Sequence, residues 1–125
     1  MKFGEKLRLL RKENDISLRN LAEMVKKTPA YLSDVEKCKT KAPCKELVNN
    51  LISNLKLKEE DSQALLELAA DERSEIPADI YFAIINNSSL KKLIRTVVKI
   101  DSGNSWWDEF TDILMSRTHG GSKDA

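Results

Sequence analysis

The sequence predicts an all-α fold. Apolar residues recur three and four positions apart in a series of short segments, the spacing of one helix face. No stretch alternates apolar and polar residues with the period of two that a strand needs. Proline and glycine are scarce, three and four in 125 residues, and the breaks fall where short helices need them.

The first helix is predicted from about Lys2 to Asn14, with Phe3, Leu7, Leu9 and Leu10 as its apolar stripe. Asn14 and Asp15 end it. Ser17 is an N-cap for a second helix from Leu18 to Val25, with Leu18, Leu21, Ala22 and Val25 inward. Lys26 and Lys27 make the turn. Thr28 caps a third helix that runs to about Lys37; Pro29 stands at its first position, where a missing N–H costs nothing. Leu32 and Val35 point inward. A basic loop, Lys37-Cys38-Lys39-Thr40-Lys41-Ala42-Pro43, leads to a fourth helix ending near Leu55, which buries Leu47, Leu51, Ile52 and Leu55. A fifth starts between Lys58 and Asp61, where acids suit the positive end of the helix dipole. Leu65, Leu66, Leu68 and Ala69 form its inner face.

The polar run Asp71-Glu72-Arg73-Ser74-Glu75 reads as a domain boundary. Beyond it three further helices are expected. Pro77 opens the sixth, to about Asn86, with Ile80, Ile84 and Ile85 inward. The seventh ends near Ile100 and carries Leu90, Leu93, Ile94, Val97 and Val98. After a turn at residues 101–105, the last runs from Trp106 to Met115 with Trp107, Phe110, Ile113 and Leu114. The organisation is then a first domain over 1–72, a C-terminal helical extension over 76–115 and a disordered tail over 116–125.

Charge is divided between these parts. The net charge is only +1, but residues 1–45 carry 12 Lys/Arg against 6 Asp/Glu, and residues 46–125 carry 9 against 14. A basic first third suggests that one end of the chain meets a polyanion. Other classes are disfavoured. The two cysteines, Cys38 and Cys44, read as free thiols rather than a disulfide. The sole histidine, His119, lies far from both, so no metal site is expected. No Ser/His/Asp set and no phosphate-cradling glycine loop is present, so neither an enzyme nor a cofactor is expected. No apolar run reaches the roughly 18 residues of a membrane span. The first residues lack a secretory pattern, and the expected location is the cytoplasm.

Residues 17–37 have the form of two short helices joined by a tight turn. Ala22, small and central in the second helix, lets the third cross it closely, as in a helix-turn-helix. The third helix can then present its outer face to the major groove of DNA, which admits an α-helix. The runs Leu18-Arg19-Asn20-Leu21-Ala22-Glu23-Met24-Val25 and Thr28-Pro29-Ala30-Tyr31-Leu32-Ser33-Asp34-Val35-Glu36-Lys37 resemble the Cro/cI-type (XRE) helix-turn-helix family. The resemblance covers about residues 3–70 and implies a five-helix, lambda-repressor-like DNA-binding domain. It implies an ion pair between Arg11 and Glu36 that ties the first helix to the third. Pro29, Ala30, Ser33 and Asp34 match positions that face base edges. Ser17, Arg19, Thr28, Tyr31, Lys37, Lys39, Thr40 and Lys41 match positions that contact phosphate. Two positions depart from the pattern: Lys26 and Cys38 stand where glycine is usual. A non-glycine residue held in a left-handed conformation costs about 1 kcal/mol.

Lysines fix register on the backbone without reading sequence. The candidate base readers include no strong bidentate donor, which shifts weight to DNA shape or to dimer spacing. Trp106, Trp107 and Phe110 are residue types that fill either a core or a dimer interface. The expected function is a transcriptional regulator, a repressor that binds a palindromic operator in double-stranded DNA as a homodimer. Two alternatives stand beside it: the antitoxin of a toxin–antitoxin pair, whose C-terminal helices grip the toxin, and a protein-interaction module that has lost DNA binding.

Overall fold

The computed structural model describes the backbone of residues 1–100 and 105–124 and the side chains of residues 1–99 and 107–117. Among these residues all regular structure is helical: α1 (Phe3–Glu13), α2 (Leu18–Met24), α3 (Pro29–Glu36), α4 (Lys45–Leu55), α5 (Glu59–Arg73), α6 (Ala78–Ile85), α7 (Ser88–Ile100) and α8 (Ser105–Asp124). The chain divides into two units, Met1–Asn86 and Asn87–Ala125.

In the first unit the helix ends are set by local chemistry. Ser17 Oγ accepts from the Asn20 N–H at 3.1 Å and Thr28 Oγ1 from the Tyr31 N–H at 3.1 Å, so α2 and α3 both begin on a hydroxyl cap. Their far ends, and those of α1, α4 and α5, turn through residues of positive φ: Asp15, Lys26, Cys38, Lys56 and Ser74. Four of these turns close with a six-to-one hydrogen bond, as from Lys27 N–H to Ala22 O at 2.9 Å and from Lys39 N–H to Asp34 O at 2.9 Å. Lys26 and Cys38 thus take the backbone shape that glycine gives more cheaply.

The core is built from Phe3, Leu7, Leu10, Leu21, Leu32, Val35, Val48, Leu51, Leu55 and Leu65, all buried. Helix α1 packs on α3 and α5, α2 on α3 and α4, and α4 on α5. Leu9, assigned to the inner stripe of α1, is exposed, because the Phe3–Leu7–Leu10 row already fills the gap to α3 and α5.

The division of the chain also differs from the expectation. The polar run at 71–75 is not a boundary. Helix α6 packs on α4 and α5 and belongs to the first unit. It does so through Ala78, buried, and Phe82, half-buried, while Ile80 and Ile85 are exposed and Ile84 half-buried. A small residue facing α4 and α5 permits close approach, and the bulky isoleucines are left on the outside. Tyr81 meets Phe82 edge-to-face, and Lys45 on α4 lies 4.5 Å from the Tyr81 ring centroid. Lys45 also pairs with Glu75, whose carboxyl it holds below the usual range with help from Arg73.

The second unit contains α7 and α8. Asn87 Oδ1 caps α7 by accepting from the Leu90 N–H at 3.0 Å. Leu93 and Val98 on α7 are exposed, as are Ile113 and Met115 on α8. The segment from 116, expected as a disordered tail, continues α8 to Asp124; no proline interrupts it, and an established helix gains one hydrogen bond with each added residue. Of the expected turn at 101–105, residues 101–104 lie outside the described residues, as does the Trp106 side chain, and Ser105 is the first residue of α8.

Gly4 sets the distance between α1 and the end of α3. A Cβ there would stand 2.0 Å from the Val35 carbonyl oxygen and 3.0 Å from that of Glu36. A helical Gly→Ala change ordinarily stabilises by about 1 kcal/mol; here the backbone clash reverses the sign. Gly4→Ala is expected to destabilise the protein by about 1–3 kcal/mol, read as a lower urea midpoint with an unchanged denaturant slope.

Candidate nucleic-acid interface

Helix α3 has one face in the core and one outside. Leu32, Val35 and Glu36 are buried; Pro29, Ala30 and Lys37 are exposed; Tyr31, Ser33 and Asp34 are half-buried at the margins. The outer face is therefore open along its length, and the residues matched to base-edge positions lie on it or at its border.

The inner side is fixed by a fork. Arg11 on α1 donates from Nε to Glu36 Oε2 at 2.7 Å and from Nη2 to Glu36 Oε1 at 2.9 Å. Its Nη1 donates to the Ile16 carbonyl at 2.9 Å. One guanidinium thus joins α1, the turn before α2 and the last turn of α3. Both side chains are buried, and no buried side-chain nitrogen or oxygen among the described residues lacks a partner. Hydrogen bonding to Glu36 outweighs desolvation and holds the Arg11 guanidinium above its ordinary value, so it stays charged throughout the working pH range.

Several cations in and next to the two helices are left without ion-pair partners. Arg19, Lys37, Lys39 and Lys41 are exposed and have no ion-pair partner among the described residues. Thr40 is exposed between the two loop lysines. Ser17 and Thr28 use their oxygens as caps and keep their hydroxyl hydrogens for donation. Burial pushes the Tyr31 hydroxyl above its usual value, the Cys44 sulfur adds to this and Arg73 opposes it, so the phenol remains a donor. Ammonium, guanidinium and hydroxyl groups of this kind can neutralise and hydrogen-bond phosphate oxygens.

The loop that carries Lys39 and Lys41 is pinned by residues that sequence reasoning assigned to a boundary. Glu72 on α5 accepts from the Ala42 N–H through Oε1 at 3.3 Å and from the Phe3 N–H through Oε2 at 2.7 Å. Arg73 Nη1 donates to the Ala42 carbonyl at 3.2 Å. Ala42 and Pro43, the last residues of the loop, are buried. These partners lie 30, 69 and 31 positions apart along the chain, and no local pattern signals them. No group of three or more His, Cys, Asp or Glu among the described residues could hold a metal ion. No described helix is long and apolar enough to cross a membrane.

No protein-family model matches the chain, and no curated protein does. Among solved structures, a chain from one described as a SinR protein/SinI protein complex is similar at 21% sequence identity, with a TM-score of 0.48; the match covers 94% of this chain and 98% of that one.

Glu72 supplies a test of how the loop is held. Glu72→Ala is expected to cost about 1–3 kcal/mol of stability through two unsatisfied backbone donors. Amide exchange by NMR should quicken selectively at Phe3 and Ala42. Unchanged protection at Ala42 would show that the loop is fixed by other means.

Proposed function

We propose that this chain is a sequence-specific DNA-binding regulator that lays α3 in the major groove, and that it acts as a repressor by occupying a palindromic operator as a homodimer. The observation that supports the reading is the open outer face of α3 together with four exposed cations, Arg19 in the first turn of α2, Lys37 at the end of α3 and Lys39 and Lys41 in the loop that follows, none with an ion-pair partner among the described residues. Ala30 and Pro29 suit thymine methyls, and Asp34 can accept from a cytosine amino group. Lys37, Lys39, Thr40 and Lys41 then hold one phosphate strand, and Ser17, Arg19 and Thr28 another. A two-fold protein doubles these contacts across half-sites about 34 Å apart. Trp106, Trp107 and Phe110 are proposed to contribute to the dimer contact.

In vitro selection of bound duplex tests this directly. A two-fold-symmetric consensus is expected. Replacing Lys39 and Lys41 together by alanine should make the slope of log affinity against log salt shallower by about 1.8, since each phosphate no longer neutralised removes roughly 0.9. Equal retention of duplex by both proteins would remove the clamp.

A second reading draws on the second unit. Leu93 and Val98 on α7 and Ile113 and Met115 on α8 are exposed, which leaves large apolar side chains on both helices available to a partner. In that reading α7 and α8 grip a different protein, a toxin in the case of an antitoxin, while the first unit regulates its operon. Sedimentation of the purified chain separates the two. Dimers at micromolar concentration favour self-association; a monomer that still binds operator half-sites favours the foreign partner.

A further inference from the structure

The open cations include one that no role above employs. Arg8 lies on α1, exposed, one turn before Arg11. It lines a cleft of about 150 Å³ together with Arg11, Leu18, Ser33, Glu36 and Lys37. The cleft therefore opens between α1, the first turn of α2 and the last turn of α3, along the flank of the proposed reading face.

Its charge balance is uneven. Among the described residues Glu36 is the only carboxylate in the lining, and both of its oxygens are taken by Arg11. Arg8 and Lys37 have no ion-pair partner among the described residues. The nearest acid along the helix, Glu5, accepts from the Lys2 N–H at 3.0 Å instead. Two uncompensated cations thus face one small concavity, with the half-buried Ser33 as a neutral donor in its wall. A planar guanidinium, an ammonium and a hydroxyl are the donor set that a tetrahedral dianionic or monoanionic phosphate group takes, and a guanidinium can bind it with two parallel bonds.

We propose that this cleft seats one phosphodiester of the duplex backbone, held by Arg8, Lys37 and Ser33. The proposal rests on the DNA-binding reading above and extends it. Arg8 becomes a phosphate contact, and Ser33, matched by resemblance to a base-facing position, serves the backbone instead. Base reading is then left to Pro29, Ala30 and Asp34.

The test uses the full chain and a duplex obtained by in vitro selection with the wild type, titrated over a salt series. Arg8→Ala should weaken binding about tenfold, the effect of removing a charged hydrogen bond. It should also make the salt slope shallower by about 0.9. Arg8→Lys should restore the slope. Ser33→Ala should weaken binding for every sequence alike and leave the selected consensus unchanged at each position. Both side chains lie outside the core, and equal thermal midpoints will verify intact folding. Wild-type affinity and slope in Arg8→Ala would overturn the seat while leaving the DNA-binding reading in place. A changed consensus in Ser33→Ala would overturn the reassignment of Ser33. A wild-type chain that retains no duplex would remove the DNA-binding reading and the seat with it.

Discussion

The arrangement of the first unit depends on the Arg11–Glu36 fork. Without it α1 and α3 would still meet through Leu7, Leu32 and Val35, but an apolar contact has no fixed direction. The three guanidinium bonds give it one. A buried pair of this kind is a poor source of net stability, because desolvating two ions cancels most of their attraction. Stranding either partner is another matter and costs about 3–5 kcal/mol. The pair therefore acts as a constraint on geometry. It sets the angle at which the last turn of α3 leaves the core, and with it the direction in which Ala30 and Asp34 project. Gly4 completes the constraint by letting the α1 backbone lie against the Val35 and Glu36 carbonyls.

A second constraint works on the loop. Lys39 and Lys41 are long and mobile side chains, and lysine alone cannot define where a phosphate binds. Their backbone is held instead, through the burial of Ala42 and the bonds that Glu72 and Arg73 make to its two polar groups. The division of labour is clean: α3 and the loop supply groups that face outward, and α1 and α5 supply the charges that fix them from behind.

Much of this was legible in the sequence. The caps at Ser17 and Thr28, the proline opening α3, and the inward positions Leu21, Ala22, Leu32 and Val35 are local signals, and local hydrogen bonding and burial decide them. The left-handed turns at Lys26 and Cys38 were legible as places where glycine was missing. What escaped depends on contacts between distant parts of the chain. Glu72, Arg73 and Glu75 look like a solvated charge run, because nothing nearby in sequence is their partner. Helix α6 carries so many isoleucines that periodicity alone chose the wrong face; Ala78 and Phe82 are the residues that meet α4 and α5. Arg8 carried no signal at all, since only the fold shows that it borders the same cleft as Ser33.

The double use of one carboxylate has a practical side. Glu72 holds the amide of Phe3 with one oxygen and that of Ala42 with the other, so the first residues of the chain and the loop after α3 share an anchor. Trimming the chain up to Phe3 would alter a bond whose other half steadies a lysine-bearing loop some forty positions away. Tags for purification or labelling placed at that end therefore sit two residues from this shared anchor, and comparisons of loop stability between preparations call for the same end in each.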